Sequence, residues 1–113
     1  MMESVYETVL AAKLVELGYK VERQKPIPIQ FEGHAFENAF RIDLVVEDSV
    51  LVEIKSAERV NAAHFKQLLT YLRLTDRRLG LLVNFGGATL KEGFRRIVND
   101  YDSSASLRSL REQ

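Results

Sequence analysis
Asp43, Glu53 and Lys55 are the residues whose types and spacing could do chemistry. They lie on two short apolar segments. Residues 38–46 end in Ile42, Leu44, Val45 and Val46, and residues 50–55 read Val-Leu-Val-Glu-Ile-Lys, a strong strand pattern. Glu47-Asp48-Ser49 between them is a polar turn. If those three residues form the loop, Val46 opposes Val50 and Asp43 opposes Glu53. Directly opposed residues share a face of the sheet, and Lys55, two residues past Glu53, shares it too. The other face would carry Ile42, Leu44, Val46, Val50, Val52 and Ile54 as continuous core. Two opposed carboxylates repel by about 0.2–1 kcal/mol on an exposed surface. A divalent cation reverses the sign of that interaction, and hard oxygen ligands suit magnesium or manganese. Two alternatives stay open. A two-residue turn would send the acids to opposite faces, and a solvated strand with alternating charges shows the same pattern.

Two helices would flank these strands. Residues 3–17 carry Tyr6, Leu10, Leu14 and Leu17 at helical spacing, widened by Val5 and Val9, with Gly18 as a stop. Glu3 falls inside that stripe, and a carboxylate turned towards the protein needs a partner. The alternative is that it frays into water. In the second helix Asn61 is a plausible N-cap, and Phe65, Leu68, Leu69 and Leu72 form the core stripe. His64, Gln67 and Tyr71 lie together beside it. A histidine at a helix start is commonly a surface or capping residue, which is the preferred reading of His64.

Pro26 and Pro28 place residues 19–31 at a sheet edge or in an irregular extended segment, and Glu32-Gly33-His34 reads as a turn. Residues 79–85 read as a buried strand closed by Gly86-Gly87, and residues 90–98 fit either a helix or a strand. The order is helix, three strands, helix, strand. That is an α/β layer whose mixed four-stranded sheet receives its last strand through a helical crossover.

A chain of 113 residues suits one domain, with residues 1–101 as the folded unit and 102–113 as a frayed tail. The absence of cysteine excludes disulfides, thiolate zinc sites and a cysteine nucleophile. Short apolar runs exclude a membrane span. Glu3 and Glu7 stand where a secretion signal would be basic and then apolar, so the expected location is cytoplasmic. The 16 basic and 16 acidic residues cancel, which argues against a wholly basic nucleic-acid coat. They are unevenly placed. Residues 1–59 hold 7 basic and 11 acidic residues, and residues 60–113 hold 9 and 5. The split fits a cation-binding acidic cluster beside an anion-binding surface, or simply scattered surface charge.

Asp43, Glu53-Ile54-Lys55 and Gln67-Leu-Leu-Thr-Tyr71, taken in that order, resemble the PD-(D/E)XK nuclease superfamily, the Gln-x-x-x-Tyr element being similar to its RecB-like branch. Glu3-Ser-Val-Tyr6-Glu7 and Leu81-Leu-Val-Asn-Phe85-Gly86 resemble its small GxxExxY proteins. The likeness covers about residues 1–99. It implies a restriction-endonuclease-like αβββαβ core and a magnesium-dependent nuclease acting on nucleic acid, DNA before RNA, with manganese as a substitute. Asp43 and Glu53 match the metal-binding acids, joined by the Ile54 carbonyl and by Glu3 as a further ligand. Lys55 matches the lysine that positions or activates the attacking water. Gln67 and Tyr71 match a helical pair that supports the site or touches nucleic acid, and Glu7 and His64 stand near it. Arg73, Arg77, Arg78, Lys91, Arg95 and Arg96 are candidates to hold phosphates. Nucleases of this class often form homodimers. The Gly of the GxxExxY name would fall just before Met1, which leaves Glu3 in an uncapped first turn. The rivals are an inactive nuclease fold that binds nucleic acid or a protein, and a small-molecule phosphohydrolase, for which no Walker-type loop is visible.

Overall fold
The computed structural model describes residues 2–56, 61–86 and 93–100. Its elements are α1 (Met2–Glu16), β1 (Val21–Phe31), β2 (His34–Val46), β3 (Val50–Lys55), α2 (Ala62–Thr75), β4 (Leu79–Asn84) and β5 (Phe94–Val98). The sheet runs β1-β2-β3-β4-β5. Only the β3–β4 pair is parallel, and α2 makes the crossover between those strands. The α/β layer and the mixed sheet are as expected, but the sheet has five strands and not four. The fifth comes from the ambiguous stretch: Phe94–Val98 pairs antiparallel with β4, and Asn99 N donates to Arg78 O at 2.7 Å. The tail proposed for 102–113 lies outside the described residues. No described helix is long and apolar enough to cross a membrane.

Local chemistry sets the boundaries. Tyr19 N donates to Leu14 O at 3.0 Å across Gly18, whose φ of +96° only glycine adopts readily, and this closes α1. The β1–β2 hairpin turns on Glu32 and Gly33, both at positive φ, so His34 already belongs to β2. β1 is an edge strand, and its register shifts between Ile27 and Ile29, around Pro28. At the start of α2 the Asn61 side chain accepts from His64 N at 3.2 Å, while Asn61 N donates to His64 Nδ1 at 3.3 Å. This is a capping box, with histidine in the return position.

Each sheet face has its own core. Leu44, Val52, Ile54 and Val83 pack with Ala11, Tyr6, Leu10 and Leu14 of α1. Ile27, Ile42, Val45, Leu51 and Leu82 pack with Leu68, Tyr71 and Leu72 of α2. Gly80 lets α2 approach closely, since a Cβ there would sit 3.0 Å from Leu68. Three expectations are corrected. Leu17 lies past the helix and is 67% exposed, and Val5 and Val9 point outward, because the buried side of α1 turns through Tyr6, Leu10, Ala11 and Leu14. Ile42 belongs to the α2 face, opposite Leu44, although the two are two residues apart.

The physical reason is an irregularity shared by two strands. Gln24 in β1 has φ +50° and stands at the level of Asp43, between the Arg23–Leu44 and Lys25–Ile42 pairs. On one side of this level Val21 packs on the α1 face. On the other, Ile27 packs on the α2 face. Both strands therefore change face at Gln24 and Asp43, as at a bulge.

Candidate active site
The β2–β3 hairpin has the three-residue loop that the sequence suggested. Ser49 N donates to Val46 O at 3.0 Å, and the register runs Val46–Val50, Val45–Leu51, Leu44–Val52. At the next level the acceptors are carboxylates. Asp43 N donates to Glu53 Oε1 at 3.2 Å, and Ile54 N donates to Asp43 Oδ2 at 2.7 Å. The two acids are thus tied to each other's strands.

Their electrostatics are unfavourable to charge. Glu53 is buried, and burial together with the neighbouring Asp43 pushes its carboxyl up to about 8. Burial also raises Asp43, with Glu7 adding to the effect. Lys55 opposes both shifts through its charge, yet its ammonium forms no ion pair within 4 Å among the described residues. Buried Glu53 and half-buried Asp43, both with raised affinity for protons, form a pair of oxygen donors whose charge a hard divalent cation would neutralise.

The remaining expected residues divide. α1 is pinned by Tyr6, whose ring stacks on Phe85 at 4.0 Å, while Phe85 N donates to Lys55 O at 2.9 Å. This sets Glu3 at the end of β3, where its Oε2 accepts from Ser56 N at 3.2 Å and Ser56 Oγ at 3.3 Å. Its charge reaches Glu53 and raises that carboxyl further. Among the described residues no three His, Cys, Asp or Glu side chains gather closely enough to hold a metal ion. Glu7 is buried and accepts from Arg23 and Gln24. Tyr71 is buried on the α2 face, its ring 5.3 Å from Phe40, and its hydroxyl is raised first by burial and then by Glu53 and Asp43. Gln67, one turn earlier, is exposed. His64 serves the α2 cap.

The basic residues do not converge. Arg77 and Arg78 precede β4, whose Leu79 pairs with Val50 at the loop end of the hairpin. Arg77 is bound to Asp48 in that loop at 3.0 Å, and Arg78 lies 4.0 Å from Asp100. Arg95 and Arg96 are exposed on β5, Arg73 is exposed on α2, and Lys91 lies outside the described residues. Sequence reasoning missed Arg23 and Gln24. The signal available was the unbroken polar run Glu22-Arg23-Gln24-Lys25, which no strand with one buried face should show.

A mixed sheet between two helices, with paired acids and a lysine on the central hairpin, defines a restriction-endonuclease-like fold. The family model of the PD-(D/E)XK nuclease superfamily matches residues 1–97, and the chain belongs to that superfamily. A search of curated proteins finds no match. Among solved structures, SSO0001 is similar with a TM-score of 0.64 at 20% identity, over 98% of this chain and 56% of that one. An alkaline exonuclease (LHK-Exo) from Laribacter hongkongensis is similar with a TM-score of 0.56 at 18% identity, over 96% of this chain and 60% of its own. The chain therefore spans little more than half the length of these structures, and at such identities the likeness is one of fold.

Proposed function
We propose that the chain is a magnesium-dependent nuclease of the GxxExxY kind, acting in the cytoplasm on nucleic acid, with DNA as the first substrate to test. The observation that carries this is the Asp43–Glu53 pair, a half-buried and a buried carboxylate on facing strands, with Lys55 two residues past Glu53 on β3. Asp43, Glu53 and the Ile54 carbonyl would hold the cation, with Glu3 joining if it left Ser56. When bound, such an ion polarises a phosphate oxygen and lowers the pKa of a coordinated water. Lys55 would orient that water and offset charge on the phosphate in the transition state. Gln67 and Tyr71 would support the site from α2. The exposed Arg95 and Arg96 of β5 and Arg73 of α2 would meet a phosphate backbone. Two copies would supply two sites for two strands, which light scattering on the purified chain tests.

The test of activity is a cleavage panel of labelled single-stranded, double-stranded and branched DNA and RNA with magnesium, manganese or EDTA. Cleavage should need the cation and vanish in Asp43→Ala and Lys55→Ala. Equal cleavage by the purified variants overturns the assignment. One observation favours a second reading, an inactive nuclease fold that binds nucleic acid: Glu3 is engaged by Ser56, so among the described residues no third acid completes the pair. Nucleic-acid binding without cleavage, unaffected by EDTA, would establish it.

A further inference from the structure
Gln24 sits within β1 with φ +50°, a conformation that favours glycine and strains other residues. Its side-chain amide reaches two carboxylates from there. Nε2 donates to Glu7 Oε1 and, at 3.3 Å, to Asp43 Oδ1. Carboxylates only accept, and a side-chain NH₂ is the neutral group with two hydrogens to give. Glutamine therefore bridges two acids without adding charge. A glutamate at 24 would set three carboxylates together, and an apolar residue would leave buried Glu7 one partner short. Glu7 is fixed from its other side by Arg23, whose Nε and Nη2 stand 3.1 and 3.0 Å from Oε2. Arg23 in turn donates to Thr8 Oγ1 at 2.8 Å.

We infer that Gln24 is a positioning residue: anchored on the Glu7–Arg23 ion pair, it fixes the Asp43 carboxylate so that Oδ2 stays on Ile54 N and Asp43 keeps one orientation against Glu53. Of the two Asp43 oxygens, one is held by β3 and the other by β1 through Gln24. The face change of β1 and β2 at this level brings the three polar side chains of α1, β1 and β2 together while the flanking apolar residues reach opposite cores. The role of Gln24 in cation binding rests on the nuclease proposed above. Its role in fixing Asp43 does not.

The decisive variant is Gln24→Gly, which removes the amide and relieves the backbone. In EDTA its unfolding temperature should equal or exceed that of the wild type. The Ile54 amide, followed by ¹⁵N NMR in the same buffer, should shift and exchange faster with solvent as its bond to Asp43 loosens. Manganese titrated into each protein should bind the variant about tenfold or more weakly, the usual loss when a group behind a metal ligand is removed. An unchanged Ile54 amide overturns the inference whatever manganese does. A loosened Ile54 amide with equal manganese affinity overturns its relevance to the site. If the wild type itself binds no manganese while Ile54 responds to the substitution, the nuclease reading fails and the positioning role stands.

Discussion
At the loop of the β2–β3 hairpin, Asp48 lies 3.0 Å from Arg77 and 3.7 Å from Lys25, and the Arg77 hydrogen bond and charge hold its carboxyl below the ordinary range. A few residues along the same two strands, buried Glu53 lies beside half-buried Asp43 and both are held above it. The hairpin thus carries acids in opposite electrostatic states at its two ends. The loop end is a solvated ion pair that is already complete. The other end places two carboxyl groups where burial and like charge disfavour ionisation, so Glu53 holds its proton to about 8. Such a pair is neutralised either by a proton or by a bound cation, and the responses to pH and to magnesium separate the two.

The contrast breaks most visibly through activity. Asp43→Ala or Lys55→Ala should lower magnesium-dependent cleavage by at least about 10²-fold, the scale of losing one transition-state contact, whereas Asp48→Asn should cleave like the wild type. Next in size is the response to the cation. Magnesium at one hundred times its dissociation constant should stabilise the wild type by about 2.7 kcal/mol. Calorimetry should show no such gain for Asp43→Asn.

Smaller effects follow from pH in EDTA. Glu53 goes from an ordinary 4.5 to about 8 on folding, so the folded state keeps a proton that the unfolded chain has lost. Stability from this group is therefore present below about 4.5 and declines as pH rises through 8. Glu53→Gln should flatten that decline and raise the unfolding temperature at pH 8 by on the order of 5 °C. A variant no more stable than wild type at pH 8 would show that burial does not disfavour the charge. The loop end has the opposite sign. Asp48 is lowered, so its contribution is present above its ordinary 3.8 and lost as pH falls below it. Asp48→Asn should give the smallest shift of the set, and one that disappears in high salt because the pair is exposed and screened.

Much of this was legible along the chain. The Glu47-Asp48-Ser49 loop sets the hairpin register, and Asn61 and Gly18 mark helix ends through their own local hydrogen bonds. Other features were not. Phe94–Val98 reads as a strand only because β4 offers it an edge. The exposure of Leu17, Val5 and Val9 follows from where α1 meets the sheet, which helical spacing alone leaves undecided. The Arg77–Asp48 pair joins residues 29 positions apart, so it could not be told from a free phosphate-binding arginine.

By itself the sequence determined the two strands and the polar Glu47-Asp48-Ser49 turn between them, and offered the meeting of Asp43 with Glu53 as one of two registers, since loop composition and strand pattern act between near neighbours. Only the tertiary structure decided that Glu7 and Gln24 reach Asp43, that Glu3 turns to Ser56, and that Ile42 leaves the face of Leu44. Each depends on the positive φ at Gln24 or on the seating of α1 by the Tyr6–Phe85 stack. Neither can be read from local spacing, because both arise where distant segments compete for the same space.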